Sequence, residues 1–239
     1  MKPETKKSAK PSSNSNTLMV TKSPSATMSP KEKASLLAEY KRRHDAILLE
    51  LAQRVTNQLT DHLAGTPNID RFMARAKTPE RFLAKALKLD DTGKFKYESP
   101  FDQIQDLVGA RVVVFYKQDV EAVAELIDRY YTNIERKDLV PESESEFGYF
   151  GKHYVLQMPE DVIRDGDKRE DIPTFFELQI KTLFQHAWSE ASHDLAYKPE
   201  KPLTSSQKRK VAFTAAQAWG ADQIFAELHS ELNGAHLSE

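Results

Sequence analysis

The chain has 239 residues, no cysteine and a formal net charge of −2, with 39% hydrophobic and 29% charged residues. That length suits one substantial core better than two independent domains, and the composition excludes disulfides, thiolate chemistry and the strong positive excess of a dedicated polyanion binder. No apolar run approaches the length of a bilayer span and the lysine-bearing N-terminal segment lacks an apolar signal core, so a cytoplasmic protein with no membrane partner is expected.

Residues 1–28 are rich in Ser, Lys, Pro, Thr and Asn and read as a flexible tail. Ser29, Pro30 and Glu32 then occupy the cap, first and third positions of a capping box, opening an N-terminal helix over 29–66. Its stripe of Leu36, Leu37, Tyr40, Ile47, Leu48, Leu51, Val55, Leu59 and Leu63 recurs at helical spacing, and Lys41, Arg42 and Arg43 fall on the wet face. Beyond Gly65-Thr66-Pro67 the pattern alternates, giving a core over 67–200. A strand is expected at 70–77, a helix from the Thr78-Pro79 cap to about 89, a strand at 110–116 and a helix at 120–131. Further strands fall at 132–139, 152–158 and 174–181, followed by a helix at 182–196. A terminal helix fills most of 201–239, from about 205 to 232, and either closes the core or assembles copies of the chain. The fold class predicted is α+β: a mixed sheet of about five strands flanked by helices, with long helices at both ends.

Four segments carry candidate chemistry. In RAKTPERFLAK, Arg75 and Lys77 share strand parity while Arg81 and Lys85 share a helix face, so four cations gather at a helix N-terminus. Such a cluster suits a polyphosphate, though taken alone a solvated helix face is the better explanation. In DLVGARVVV, Gly109 is expected in a turn, with Asp106 either a Mg²⁺ ligand or a turn carboxylate paired with Arg111. In FFELQIKT, alternation sets Phe176, Leu178 and Ile180 opposite Glu177, Gln179 and Lys181. That is ordinary for an antiparallel surface strand, yet Glu177 could also be a second metal ligand or a general base. In EFGYFGKHYVL, two glycines interleaved with Tyr149, Lys152 and His153 suit a turn where backbone approaches a ligand and a ring stacks on a base; packing is the alternative.

These four segments, in this order and continued by QHAWSEASHDLAYK, resemble the synthetase domain of the RelA/SpoT family over about residues 45–200. The resemblance implies an ATP:nucleotide 3′-pyrophosphotransferase of the small, single-domain kind, making guanosine tetraphosphate or pentaphosphate from ATP and GDP or GTP. It implies that Arg75 and Arg111 clasp adenine and that Lys77, Arg81 and Lys85 hold the ATP phosphates. Asp106 and Glu177 would hold Mg²⁺, with Glu177 the base for the acceptor hydroxyl. Tyr149 would stack on guanine, with His153, Lys152, Gln179 and His186 contacting the acceptor. The departures are Gly151 where a small hydroxyl residue is more usual, Arg81 for Ser, Lys181 for Arg, and His186 at a variable position. His44-Asp45 and His193-Asp194 lack the rest of a hydrolase domain and are assigned to structure. Two other readings stay open: an acceptor that is the 3′ end of tRNA or an adenine nucleotide, and a non-catalytic nucleotide-binding module.

Overall fold

A computed structural model describes residues 26–138, 148, 151–197 and 202–234. The capping box at Ser29 and Glu32 forms as the sequence requires and opens helix α1 (Pro30–Arg43). A π turn over His44–Leu48 joins α1 to α2 (Leu49–His62), so the long N-terminal helix carries one wide turn that its spacing did not announce. The expected stripe is buried from Tyr40 to Leu63. Ordered contact begins earlier than residue 29, because the Ala26 N–H donates to the Gly93 carbonyl at 2.7 Å. Arg42 and Arg43 are not simply solvated: Arg42 forms a two-pronged pair with Asp171, and Arg43 donates to the Glu170 carbonyl.

The core alternates much as expected. Strand β1 (Ile69–Ala76) leads to α3 (Pro79–Ala86), capped by the Thr78 hydroxyl, which accepts from the Arg81 N–H. A short α4 (Pro100–Gln103) precedes β2 (Val108–Val114). Helix α5 (Lys117–Tyr130) starts three residues before its expected position, because the Asp119 carboxylate accepts the Tyr116 N–H and secures the first turn. Strands β3 (Asn133–Asp138), β4 (Lys152–Gln157) and β5 (Phe175–Thr182) follow, then α6 (Leu183–Tyr197) and α7 (Ser205–Gly234).

The sheet order is β1-β2-β5-β4-β3, with β2 and β5 parallel and the other pairs antiparallel. The FELQIK strand is therefore the middle of the sheet, paired on both sides, not a surface strand. Gly109 lies inside β2 and pairs with both Arg75 and Glu177, so it does not make the expected turn. One sheet face is apolar: Val112, Val114, Leu178, Ile180, Tyr154 and Leu156 are buried with side chains of α2 and α5. Tyr40 stacks on Phe82 with ring centroids 3.9 Å apart, and its hydroxyl donates to the Lys77 carbonyl at 2.7 Å, fixing the end of β1 to the N-terminal helix. The opposite sheet face holds the polar residues. Among the described residues no helix is long and apolar enough to cross a membrane.

Candidate active site

Directly paired residues on adjacent strands lie side by side on the same face. One such row reads Arg75, Gly109, Glu177, Val155 and Glu135 across β1, β2, β5, β4 and β3; the next reads Met73, Arg111, Gln179, His153 and Lys137. The register thus delivers cations from β1 and β2, the carboxylate and amide of β5, and the imidazole of β4 to a single surface. Over it open two cavities. The larger, about 820 Å³, is lined by Arg75, Lys77, Arg81 and Arg111 on one side and by α6 on the other. The smaller, about 220 Å³, is lined by Lys85, Gln105, Glu135 and Lys137. Asp106, His153 and Glu177 line both.

The charges are arranged in short contacts. Asp106 lies between two ammonium groups, with Lys77 Nζ at 2.5 Å and Lys85 Nζ at 2.9 Å, not beside Arg111. Burial pushes its carboxyl up, but the two lysines outweigh burial and hold the pKa below the ordinary carboxylate range. Burial likewise works against the Lys85 ammonium, and Asp106 more than compensates. Glu177 Oε1 hydrogen-bonds His153 Nδ1 at 2.9 Å. There too burial raises the pKa while His153 brings it down, with a net lowering despite the nearby charge of Asp106. Both carboxylates are therefore ionised at neutral pH. Among the described residues His153 Nε2 is buried without a hydrogen-bond partner, an atom that a ligand or water can satisfy.

Arg111 is braced by β5 and α6. It donates to Glu190 at 2.7 Å, His186 Nδ1 at 2.8 Å and Gln179 Oε1 at 3.2 Å. Burial and the Arg111 charge lower the His186 pKa, so this imidazole is the neutral acceptor that the contact requires. Hydrogen bonds from both terminal nitrogens to three partners fix the guanidinium plane on the same wall of the cleft as Arg75.

Of the residues singled out from the sequence, Arg75, Lys77, Arg81, Asp106, Arg111, His153, Glu177, Gln179 and His186 line the larger cavity. Lys85 lines the smaller one. Gln179 and His186, expected to serve an acceptor, hydrogen-bond Arg111 in this structure. Lys152 lines neither cavity: it is one residue out of phase with His153, and its ammonium pairs with Glu121 of α5 at 2.6 Å on the opposite face. Tyr149 lies outside the described residues. Sequence reasoning passed over Ser189, Glu190 and His193, which line the larger cavity. Together with His186 they recur three or four apart on α6, a helix-face signal hidden by assigning His193-Asp194 to structure. The other such dipeptide is local, with His44 Nδ1 2.7 Å from the Asp45 carboxylate in the π turn. Glu135 and Lys137 were also missed, because only the β3–β4 register brings them to the site.

A five-stranded mixed sheet with helices against one face, and with cations around two ionised carboxylates on the other, defines an α+β domain suited to polyanionic ligands. The profile of the family described as "Region found in RelA / SpoT proteins" matches residues 74–202, and the chain belongs to that family. Among characterised proteins it is similar to the GTP pyrophosphokinase YjbM of Bacillus subtilis (strain 168), with 25% identity over 139 residues. That match covers 57% of this chain and 63% of the relative's length. The crystal structure of the small alarmone synthetase 1 from Bacillus subtilis is similar with a TM-score of 0.64 at 19% identity, covering 85% of this chain and 99% of that one. The structure of that synthetase bound to its product pppGpp gives a TM-score of 0.60 at the same identity and coverage. At such identities the likeness establishes the fold.

Proposed function

We propose that the protein transfers the β,γ-pyrophosphate of ATP to the 3′-hydroxyl of GDP or GTP, producing (p)ppGpp. The observation that carries this reading is the meeting of two cavities at Asp106, His153 and Glu177. A group-transfer enzyme needs two substrates whose reacting atoms approach at one point under charge neutralisation. The larger cavity has the guanidinium groups of Arg75 and Arg111 for an adenine and the cations Lys77 and Arg81 for its phosphates. The smaller cavity, with Lys85 and Lys137, takes the acceptor, and Tyr149 is the residue we assign to its base from sequence.

In this mechanism the acceptor 3′-oxygen forms a bond to the β-phosphorus as the bond from that phosphorus to the α,β-bridging oxygen breaks, and AMP leaves with the electron pair. The 3′-hydroxyl proton passes to a Glu177 carboxylate oxygen. A carboxylate of lowered pKa is adequate, because in a loose phosphoryl-transfer transition state positioning and charge neutralisation matter more than base strength. His153 orients Glu177, and Lys77 and Lys85 offset charge on the transferring group. Asp106 and Glu177 also fit Mg²⁺: both are ionised oxygen donors lining one cleft, and this ion characteristically takes one or two carboxylates with substrate phosphates. When bound it would neutralise phosphate charge.

The test is incubation with β,γ-labelled ATP and Mg²⁺ while GDP, GTP, ATP or tRNA is offered in parallel. Label is expected in a guanine nucleotide, with Glu177→Gln and Asp106→Asn each reducing turnover at least about a hundredfold in folded protein. Transfer only to tRNA or ATP would displace the guanine assignment. No transfer to any acceptor would leave a nucleotide-binding module.

A further inference from the structure

Within the larger cavity, Lys181 has no carboxylate in contact among the described residues, and of all the cavity's cations it is the most deeply buried. Lys181 extends from β5 on the same face as Glu177, yet the residue is only 4% exposed. Among the described residues its ammonium donates to the Ser189 hydroxyl at 3.0 Å and makes no ion pair. The acids that could serve are engaged elsewhere: Glu190 of α6 with Arg111 of β2, and Glu177 of β5 with His153 of β4. The side chain cannot readily swing away, because the backbone at Gly151, just ahead of β4, lies close beside its stem. A Cβ at Gly151 would lie 2.6 Å from Lys181 Cγ and 2.1 Å from the Ile180 carbonyl oxygen, so a glycine is needed there. A buried ammonium without a contacting anion is costly, and its position in a wall shared with Arg111 makes it an anion-holding group awaiting its anion.

We propose that Lys181 is a further phosphate-holding residue of the larger cavity, completed by the bound polyphosphate, so that nucleotide binding is accompanied by proton uptake. The inference rests on the reading of this cavity as a nucleoside triphosphate site. Burial first, and then the like charge of Arg111, lower the Lys181 ammonium to about 8, against the weaker opposing pull of Glu190 and Glu177. Without ligand the group is therefore partly neutral in mildly alkaline solution. Phosphate oxygens nearby favour the charged form, and the site takes up the balance of a proton as it fills. Beside Arg111, His186 has a lowered pKa and is neutral there, and Glu190, its pKa lowered by Arg111 against burial, stays ionised, so neither takes up the proton.

The test is calorimetric titration of the full chain with a non-hydrolysable ATP analogue at constant Mg²⁺ and pH 8, in buffers of differing ionisation enthalpy. Wild type is expected to take up about half a proton per site at pH 8 and much less from this group at pH 6.5. Lys181→Arg, which keeps the charge but cannot titrate, is expected to bind within a few-fold of wild type without the pH 8 uptake. Lys181→Met is expected to lose at least about tenfold in affinity. Binding by wild type without proton uptake, or uptake that persists in Lys181→Arg, overturns the proposal while leaving the nucleotide site standing. Absence of binding by folded wild type overturns both.

Discussion

Gly109 lies between Arg75 and Glu177 in the sheet, and a Cβ built on it would meet no atom within 4 Å. No described atom crowds a side chain there, so a larger residue would instead stand on the cleft floor, in the space between Arg75 and Glu177. Gly109→Leu is expected to leave the thermal midpoint unchanged or raised, since glycine is costly inside a strand. Affinity for an ATP analogue should fall at least about tenfold; unchanged affinity would show that the ligand lies elsewhere. That Asp106 and Glu177 share one cleft was legible because both sit in motifs that carry over residue by residue. The role of Gly109 was not, since a glycine ahead of a β-branched run reads as a turn and only pairing reveals the gap. Arg111 was legible as a cation, but its bracing by Gln179, His186 and Glu190 required the packing of α6 against the sheet.

At the scale of elements, the N-terminal helical segment is tied to the 3₁₀ turn over Arg169–Asp171. Arg42 meets both Asp171 carboxylate oxygens, at 2.5 and 2.7 Å, while that carboxylate is 4% exposed and Arg42 is 45% exposed. The Arg42 hydrogen bonds hold the Asp171 pKa below its ordinary value against the opposing effect of burial. A depressed folded-state pKa contributes stability above the unfolded value, near pH 4, and that contribution fades as pH falls through the folded value. Asp171→Asn should therefore lose about 1–2 kcal/mol in urea denaturation at pH 7, modest because Arg42 is half exposed. The difference from wild type should shrink on acidification below about pH 4; a gap that stayed constant would assign the effect to packing. The helix itself was legible from its cap and stripe. Its π turn was not, because the step of seven from Tyr40 to Ile47 is also the spacing of an unbroken helix.

Across the whole molecule, α7 closes the end of the sheet. Asp222 is 1% exposed and accepts from the Thr182 hydroxyl at 2.5 Å, Phe225 stacks near Phe184, and the Trp188 indole donates to the Val211 carbonyl. The last two link α7 to α6, the helix that carries the Arg111 braces. Asp222→Ala should cost about 1–3 kcal/mol in chemical denaturation, the loss expected when a buried hydroxyl is left without its acceptor. Analogue affinity should fall as well, if docking of α7 holds α6 in register. A stability loss with unchanged affinity would confine α7 to a scaffolding role. That a terminal helix exists was plain from its pattern. Its docking point was not, because a lone Asp in a helix ordinarily reads as solvated.

The placement of β5 between β2 and β4 has a consequence in time. Lys77, Lys85 and Asp106 arise from one continuous stretch and can come together as soon as β1, α3 and β2 have formed. Glu177 belongs to a strand made after α5, β3 and β4, and it must enter the centre of the sheet, joining β2 through a long-range parallel pairing of the kind that closes slowly. Until then the two lysines keep Asp106 neutralised, so the unfinished chain carries no unpaired acid at this point and no chemistry either. A nascent chain halted before Phe175 could assemble the cationic half of the cleft and bind phosphate, yet remain inert. On the proposed reading, reactivity begins with the insertion of the central strand, and the order of synthesis itself keeps an incomplete molecule from spending its donor nucleotide.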